Sequence, residues 1–351
     1  MAGIKRHLML WGTGKPGAEL SATGSATVVL ENPDHLSTLL GSDLVGPHSV
    51  VFTPGHTEDT AGPEGPVVVG YEGSLSEPGA ECSLGTDFYL QIQNYGVSAY
   101  MSVVGPTLIR VADDLDQGAY LADADQARQT GEFQDFLTNP VIQLADLPAL
   151  GAGPAGDGPR HRLYADQDGF LSTAPGGARL GVLGEDTLER LETRWLLDGA
   201  AGQRHAAERP WLGRYLAAVG AIRDLRARGL AGIRVSGFGG RLGSAAASVP
   251  AGTEADTADA LLPLLLWSGG DAFLHDPASG RTFGLDRAAA AFAEVLLVAG
   301  SVEAGASYAD RAGLEQVAAY FEDAGVALRA AAGAPAAALG DRADELVTAG
   351  H

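Results

Sequence analysis

The residues that come closest to a known chemical motif are the glycines of one turn, Gly237-Phe238-Gly239-Gly240-Arg241-Leu242-Gly243. Such a turn between a strand and a helix lets a pyrophosphate approach the backbone amides at the helix N-terminus. The stretch that follows reaches Pro250 too soon for the helix that a dinucleotide site needs. The pattern favours a tight structural turn, and a nucleotide-dependent enzyme that uses this turn remains an alternative.

Two shorter motifs fail at identifiable positions. Gly12-Thr13-Gly14-Lys15 resembles part of a phosphate-binding loop, but Met9 stands at the first glycine position and Pro16 replaces the Ser or Thr that holds magnesium. Asp166-Gln167-Asp168-Gly169 resembles the start of a calcium loop, but Gly177 stands where the bidentate glutamate belongs. We interpret the second motif as a β-hairpin turn.

Histidine and cysteine show no spacing that is typical of a metal or nucleophile site. His56 beside Glu58 and Asp59 is the one local hint of a metal site, and we interpret it as a solvated loop. Cys82 is the only cysteine, which excludes an internal disulfide, and no base stands beside it. We predict no catalytic residue, no cofactor and no metal, although residues distant in sequence can assemble in space.

The charge balance limits the classes of partner. With 23 Lys and Arg against 44 Asp and Glu, the net charge is −21. An acidic surface repels nucleic acid and anionic membranes. It favours a basic partner, such as a basic peptide, or it is a solvated surface without a specific partner.

The apolar segments are too short for a targeting signal or a membrane span. The apolar run after Lys5 and Arg6 ends at Trp11, which is too short for a signal peptide. The longest apolar helix, near 288–299, contains Glu294 and is too short to cross a bilayer. A cytoplasmic protein is the simplest expectation.

The order of the predicted strands and helices indicates an α+β fold. We expect an α/β domain over 1–150, a hairpin-plus-helices domain over 160–248, a winged-helix-like domain over 258–330 and an Ala-rich tail over 331–351. The predicted strands of the first domain are 7–11, 26–31, 49–53 and 66–71, followed by an antiparallel sheet of 87–94, 99–104 and 107–111. Its predicted helices are 33–40, 119–129 and 132–137. The middle domain is predicted to hold a hairpin over 162–173, a strand over 178–183, helices over 187–197 and 207–228, and a strand over 231–235.

The C-terminal stretch from Leu261 to Leu328 has the clearest pattern of the chain. Three apolar runs, 261–267, 272–275 and 281–285, are separated by turn residues. Asp286 is a predicted N-cap for a helix over 287–298, and Ser301 is one for a short second helix. A third helix is predicted over 313–324.

One run in this stretch, Phe273-Leu274-His275-Asp276-Pro277-Ala278-Ser279-Gly280-Arg281-Thr282-Phe283-Gly284-Leu285, resembles a family pattern. It is similar to the PqqD-type domain that binds leader peptides in the pathways of ribosomally made, post-translationally modified peptides. Ser301-Val302-Glu303 matches that family's second-helix start, and the resemblance covers about a fifth of the chain. An unrelated winged helix, or a three-helix cap on a hairpin, would have the same order of elements.

The resemblance implies a binding site and a mechanism. In that family the leader adds as a strand to an exposed edge strand and packs beside the third helix. Carried onto this sequence, the peptide-binding residues are Arg281, Thr282, Phe283, Gly284, Leu285, Leu314, Val317, Ala318 and Phe321. Arg281 would pair with an acidic leader residue, and some of the apolar residues must belong to the core instead.

The length of the chain suggests a narrower resemblance, to the large recognition proteins of daptide-type clusters. The chain is much longer than a lone leader-binding domain and lacks radical, ATP-grasp and cyclodehydratase signatures. This resemblance implies a non-catalytic adaptor whose partners are an oxidative decarboxylase, an aminotransferase and a methyltransferase. A structural subunit that binds only another protein is a further alternative.

Overall fold

The computed structural model describes residues 2–15, 23–55, 65–86, 88–152, 157–198 and 208–328. The His56 hint and the predicted tail over 331–351 lie outside these residues. The fold is α+β, as predicted. The described residues form two compact units: unit 1 within 1–240 and 266–270, and unit 2 within 241–265 and 271–351.

Unit 1 is organised on a ten-stranded mixed sheet. Its strands are β1 (Thr27–Leu30), β2 (Val50–Pro54), β3 (Val67–Gly73), β4 (Glu81–Leu84), β5 (Phe88–Asn94), β6 (Thr107–Arg110), β7 (Ile142–Leu144), β8 (Arg162–Ala165), β9 (Phe170–Ser172) and β10 (Gly181–Val182). The order across the sheet is β10-β9-β8-β1-β2-β3-β4-β5-β6-β7. The structure does not divide the chain near residue 150, because β8 pairs with β1 in parallel register, Thr27 opposite Arg162.

The helices of unit 1 cover both faces of this sheet. They are α1 (Ala2–Thr13), α2 (Leu36–Leu40, after a 3₁₀ turn over Pro33–His35), α3 (Tyr95–Ser98), α4 (Asp114–Thr130), α5 (Leu188–Asp198) and α6 (Leu212–Ala227). Leu8 and Trp11 of α1 belong to one core, and Leu39, Leu188 and Leu191 belong to another. All four residues of β1 are buried, which explains the apolar run from Val28 to Leu30.

Four local predictions in unit 1 are wrong. Residues 7–11 lie in α1 rather than in a strand, since Ile4, Leu8 and Trp11 have helical spacing and the Trp11 indole donates to the Leu163 carbonyl at 2.9 Å. Residues 99–104 form no strand, and 132–137 form no helix, since 132–134 are irregular and 135–137 lie in a turn. Because α3 lies between β5 and β6, these strands are parallel, not antiparallel.

A second sheet carries the C-terminal elements. Its order is β11 (Arg234–Val235), β12 (Leu264–Ser268), β13 (Asp271–Asp276) and β14 (Arg281–Leu285). The helices that follow unit 1 in the chain are α7 (Ser244–Ala247), α8 (Arg287–Ala299), α9 (Val302–Gly305) and α10 (Arg311–Asp323). The predicted order of three strands and three helices is confirmed, and β11 adds a fourth strand by antiparallel pairing with β12.

Local capping bonds fix where these helices begin and end. The Asp286 carboxylate accepts from the Ala288 and Ala289 amides at 2.9 and 2.8 Å. Gly300, with φ of 76°, ends α8 in the left-handed conformation that glycine adopts most readily. The Ser301 hydroxyl then accepts from the Ala304 amide at 3.1 Å and starts α9.

Candidate functional site

The predicted edge strand β14 is the terminal strand of its sheet. It pairs with β13 in the register that places Leu274 opposite Phe283 and Asp276 opposite Arg281. Among the described residues no strand lies on its other side. An edge strand presents the backbone N–H and C=O groups of alternate residues outward, which is what strand addition uses.

The Asp-Pro-x-x-Gly segment builds the turn before this strand. The Asp276 carboxylate accepts from the Ala278 and Ser279 amides at 3.2 and 3.3 Å. Gly280, with φ of 71°, returns the chain and donates its amide to the Asp276 carbonyl at 2.8 Å. The motif behind the family resemblance therefore sets where β14 begins.

Side chains of β14 contact α10 through an aromatic pair. The Phe283 ring lies edge-on to Phe321, with centroids 5.5 Å apart. The Arg281 guanidinium lies over the Phe283 ring at 4.7 Å and donates to the Ala324 carbonyl at 2.9 Å. An acidic partner for Arg281 would therefore compete with the Ala324 carbonyl.

The predicted helix residues divide into core and surface. Leu314 and Phe321 are fully buried, so they support the site as core residues. Val317 is half-buried, and Ala318 lines a separate cavity with Leu296 and Val326.

Tyr320 is an exposed aromatic on α10 that sequence reasoning missed. It is 59% exposed, and its ring is perpendicular to Phe321 at 5.1 Å. The sequence could have indicated it, because Tyr320 follows Val317 by three residues and residues with this spacing lie on the same face of a helix. We call Arg281, Phe283, Leu285, Val317 and Tyr320 the strand–helix surface.

The backbone amides of the glycine-rich turn donate hydrogen bonds to acceptors of the protein itself. The amides of Gly237, Phe238 and Gly239 donate to backbone carbonyls, and a Cβ on Gly239 would lie 2.2 Å from the Thr130 carbonyl carbon. The amides at 242 and 243 donate to the Glu294 carboxylate at 2.7 and 2.8 Å. These five donors hold the turn itself, which favours the structural interpretation.

Glu31 is a second polar group that sequence reasoning missed. It directly follows β1 and is 8% exposed. Burial raises the pKa of its carboxyl, although hydrogen bonds from Ser76 and Tyr164 oppose the shift. Its Oε1 atom has no hydrogen-bond partner among the described residues. A lone glutamate after an apolar strand carries no motif, so nothing in the sequence marked it.

The raised pKa of Glu31 predicts a pH-dependent stability difference. We expect the wild type to lose stability relative to Glu31→Gln as the pH rises above the ordinary pKa of 4.5. The unfolded chain releases this proton at that pH, whereas the folded protein holds it to higher pH and so becomes less stable until its own pKa is passed. Urea midpoints of both proteins between about pH 4 and about pH 8 measure the difference, and the other carboxyls cancel. A stability difference between the two proteins that does not change with pH would contradict the raised pKa of Glu31.

The remaining motifs have structural roles. The Asp166 carboxylate accepts from the Asp168 and Phe170 amides at 3.0 and 2.8 Å, which confirms the hairpin turn. Burial raises the pKa of the Cys82 thiol to about 12. Within the described ranges, no group of three His, Cys, Asp or Glu residues is arranged to hold a metal ion. In the same residues, no helix is long and apolar enough to cross a membrane.

Comparison with known proteins adds no relative. No family model, no curated protein and no solved structure matches this chain.

Proposed function

We propose that this protein recognises the leader of a ribosomally made, post-translationally modified peptide. The leader adds as a strand to β14, and its apolar side chains pack on the strand–helix surface. The protein is then a non-catalytic adaptor that presents the precursor to an oxidative decarboxylase, an aminotransferase and a methyltransferase. Bringing substrate and enzyme together raises their effective concentration without new chemistry.

One observation carries this proposal: β14 combines an open edge with half-buried apolar side chains beside a helix. Phe283 and Leu285 are only partly covered although they point to the same side of the strand. Backbone groups of the edge supply hydrogen bonds, and the partly covered side chains supply apolar contacts that set the register. The exposed ring of Tyr320 enlarges the same surface.

Charge complementarity favours a basic leader. The net charge of −21 attracts a cationic peptide and speeds its encounter with the protein. Arg281 is the basic member of the strand–helix surface, and its stacking on Phe283 fills the end of that surface nearest Ala324.

The proposal predicts a large loss of peptide affinity in two variants. We expect Phe283→Asp and Val317→Asp, each in the full chain, to bind at least about 30-fold more weakly, because a buried anchor is worth about 2 kcal/mol or more. The measurement is fluorescence anisotropy with a labelled leader from a precursor encoded beside this protein. Leu115→Asp is the control, since Leu115 is an apolar residue of unit 1 that is 84% exposed.

Two further measurements test whether a loss of affinity arises at the proposed site and through strand addition. Thermal melts must show that each variant is folded, and unchanged affinity in a folded Val317→Asp protein would refute the site. A leader N-methylated at alternate residues should bind weakly in one register of methylation and normally in the other, because only alternate amides face the edge. Equal affinity in both registers would exclude strand addition.

The alternatives have their own tests. A nucleotide-dependent enzyme predicts that NAD(P) at millimolar concentration raises the melting temperature. A structural subunit predicts that pull-down recovers an enzyme but never the peptide. The hydrogen bonds within the glycine-rich turn favour the leader-binding proposal over the nucleotide-dependent enzyme.

A further inference from the structure

Unit 2 contains a second concave surface, away from β14. It is a cavity of about 440 Å³ that lies beside α8, α9, α10 and the segment 325–328. Its apolar lining comes from Leu296, Val302, Ala318, Ala319, Val326 and Leu328. Ala318 and Ala319 are small, so an incoming side chain can approach the backbone of α10 closely.

The ionisable residues of this lining are all acidic. They are Glu315 and Glu322, both exposed on α10, and among the described residues the cavity lining holds no Lys, Arg or His. Glu315 forms one exposed ion pair, with Arg311 at 2.8 Å. The nearby helix α9 has Glu303 in its first turn and its N-terminus is capped by Ser301.

Helix ends add to the negative potential of this cavity. Leu296 lies in the last turn of α8, a helix of 13 residues with no basic residue in that turn. The C-terminus of a helix carries partial negative charge and favours a cation. The last turn of α10 also lacks a basic residue. Arg281 donates to the Ala324 carbonyl at this helix end, and it does not line the cavity.

We infer that this cavity docks an amphipathic segment of another protein, with apolar side chains flanked by Lys or Arg. The apolar floor takes the aliphatic side chains, and the two glutamates with the α8 terminus take the cation. This docking goes beyond the proposed function, because it needs neither β14 nor a leader. The two surfaces share only α10, so leader and partner can be bound together.

The test uses the full chain and two synthetic helical peptides. One is a fluorescein-labelled peptide of Leu and Lys in helical spacing, and its twin has Glu at every Lys. We expect the Leu/Lys peptide to bind and the Leu/Glu twin not to bind. The Glu315→Lys/Glu322→Lys protein should bind the first peptide at least about tenfold more weakly, and so should Ala319→Trp, which fills the cavity.

A matched variant separates docking from general attraction to an acidic protein. Glu132→Lys/Asp135→Lys makes the same change of net charge at exposed positions of unit 1, and it also breaks one Arg ion pair, Asp135 with Arg226 at 3.0 Å. We expect this control to bind the Leu/Lys peptide as the wild type does. An equal loss in the control, or no binding by the wild type, would overturn the inference.

A competing occupant is the chain's own segment 329–351, which follows directly from Leu328. If a protein ending at Leu328 binds the peptide and the full chain does not, that segment covers the cavity and the inference is overturned. Equal binding by both proteins supports it. Leader binding that survives in Glu315→Lys/Glu322→Lys, together with loss of the Leu/Lys peptide, would separate this site from the strand–helix surface.

Discussion

Replacing Arg162 by methionine is expected to lower the free energy of unfolding by about 3–5 kcal/mol, because removal of one partner from a buried ion pair leaves its counter-charge uncompensated. The Arg162 side chain is 2% exposed and lies in β8, an interior strand of the large sheet between β9 and β1. Its guanidinium donates to both Asp157 oxygens at 2.7 and 2.8 Å and to Asp146 at 2.6 Å. The Asp157 side chain is 4% exposed, so water cannot replace the lost donors.

Three comparisons identify the cause of this loss. Arg162→Lys keeps the charge but not the planar fork that reaches both carboxylates, so we expect an intermediate loss. Asp146→Asn/Asp157→Asn in the Arg162→Met background should restore part of the stability, since the uncompensated charges are gone. Arg190→Met, at an exposed position of α5, should change stability by less than about 0.5 kcal/mol. Urea denaturation measures all of these, and a loss below about 1 kcal/mol in Arg162→Met would contradict the prediction.

The second large effect is expected in unit 2, where Glu294→Leu should cost about 2–4 kcal/mol, since each unpaired buried donor costs about 1–3 kcal/mol. Glu294 lies in α8 and is fully buried. Its two carboxylate oxygens accept from the Leu242 and Gly243 amides at 2.7 and 2.8 Å. Leucine fills a similar volume but accepts no hydrogen bond, so both amides lose their partner.

Hydrogen exchange shows whether the loss arises at these amides. The 242 and 243 amides should exchange faster in Glu294→Leu than in the wild type, and Glu294→Gln should show a smaller effect because it keeps one acceptor oxygen. Glu322→Leu, at an exposed position of α10, should leave both amides as they are. Unchanged exchange at 242 and 243 in a destabilised Glu294→Leu protein would place the cause elsewhere.

The elements that sequence reasoning located well are those fixed by short-range bonds. The turn at Asp276–Gly280, the cap at Asp286 and the stop at Gly300 depend on partners only a few residues away, so residue type and spacing are enough. The β8–β9 hairpin was found for the same reason, through the bonds of Asp166 to its near neighbours.

The features that were missed depend on partners far along the chain. Glu294 is separated by about 50 residues from the amides it bonds, and Arg162 in β8 bonds the carbonyl of Trp11 in α1, which lies 151 residues away in the chain. The parallel pairing of β5 with β6 follows from the path of the chain through α3, which local alternation does not reveal. In the site, Val317 and Ala318 are neighbours on one helix, yet only packing against α8 decides that Ala318 faces the second cavity.

The interleaving of the two units has a consequence for gene fusion and for chimeric proteins. The chain leaves unit 1 after residue 240, returns to it for 266–270 and leaves it again. A cassette that starts near residue 258 would carry β12 away from its pairing partner β11 and would separate Glu294 from the 242 and 243 amides. A transplantable module must therefore begin at or before Arg234. Recombination at the apparent boundary of the winged-helix-like region would break two bonded pairs at once.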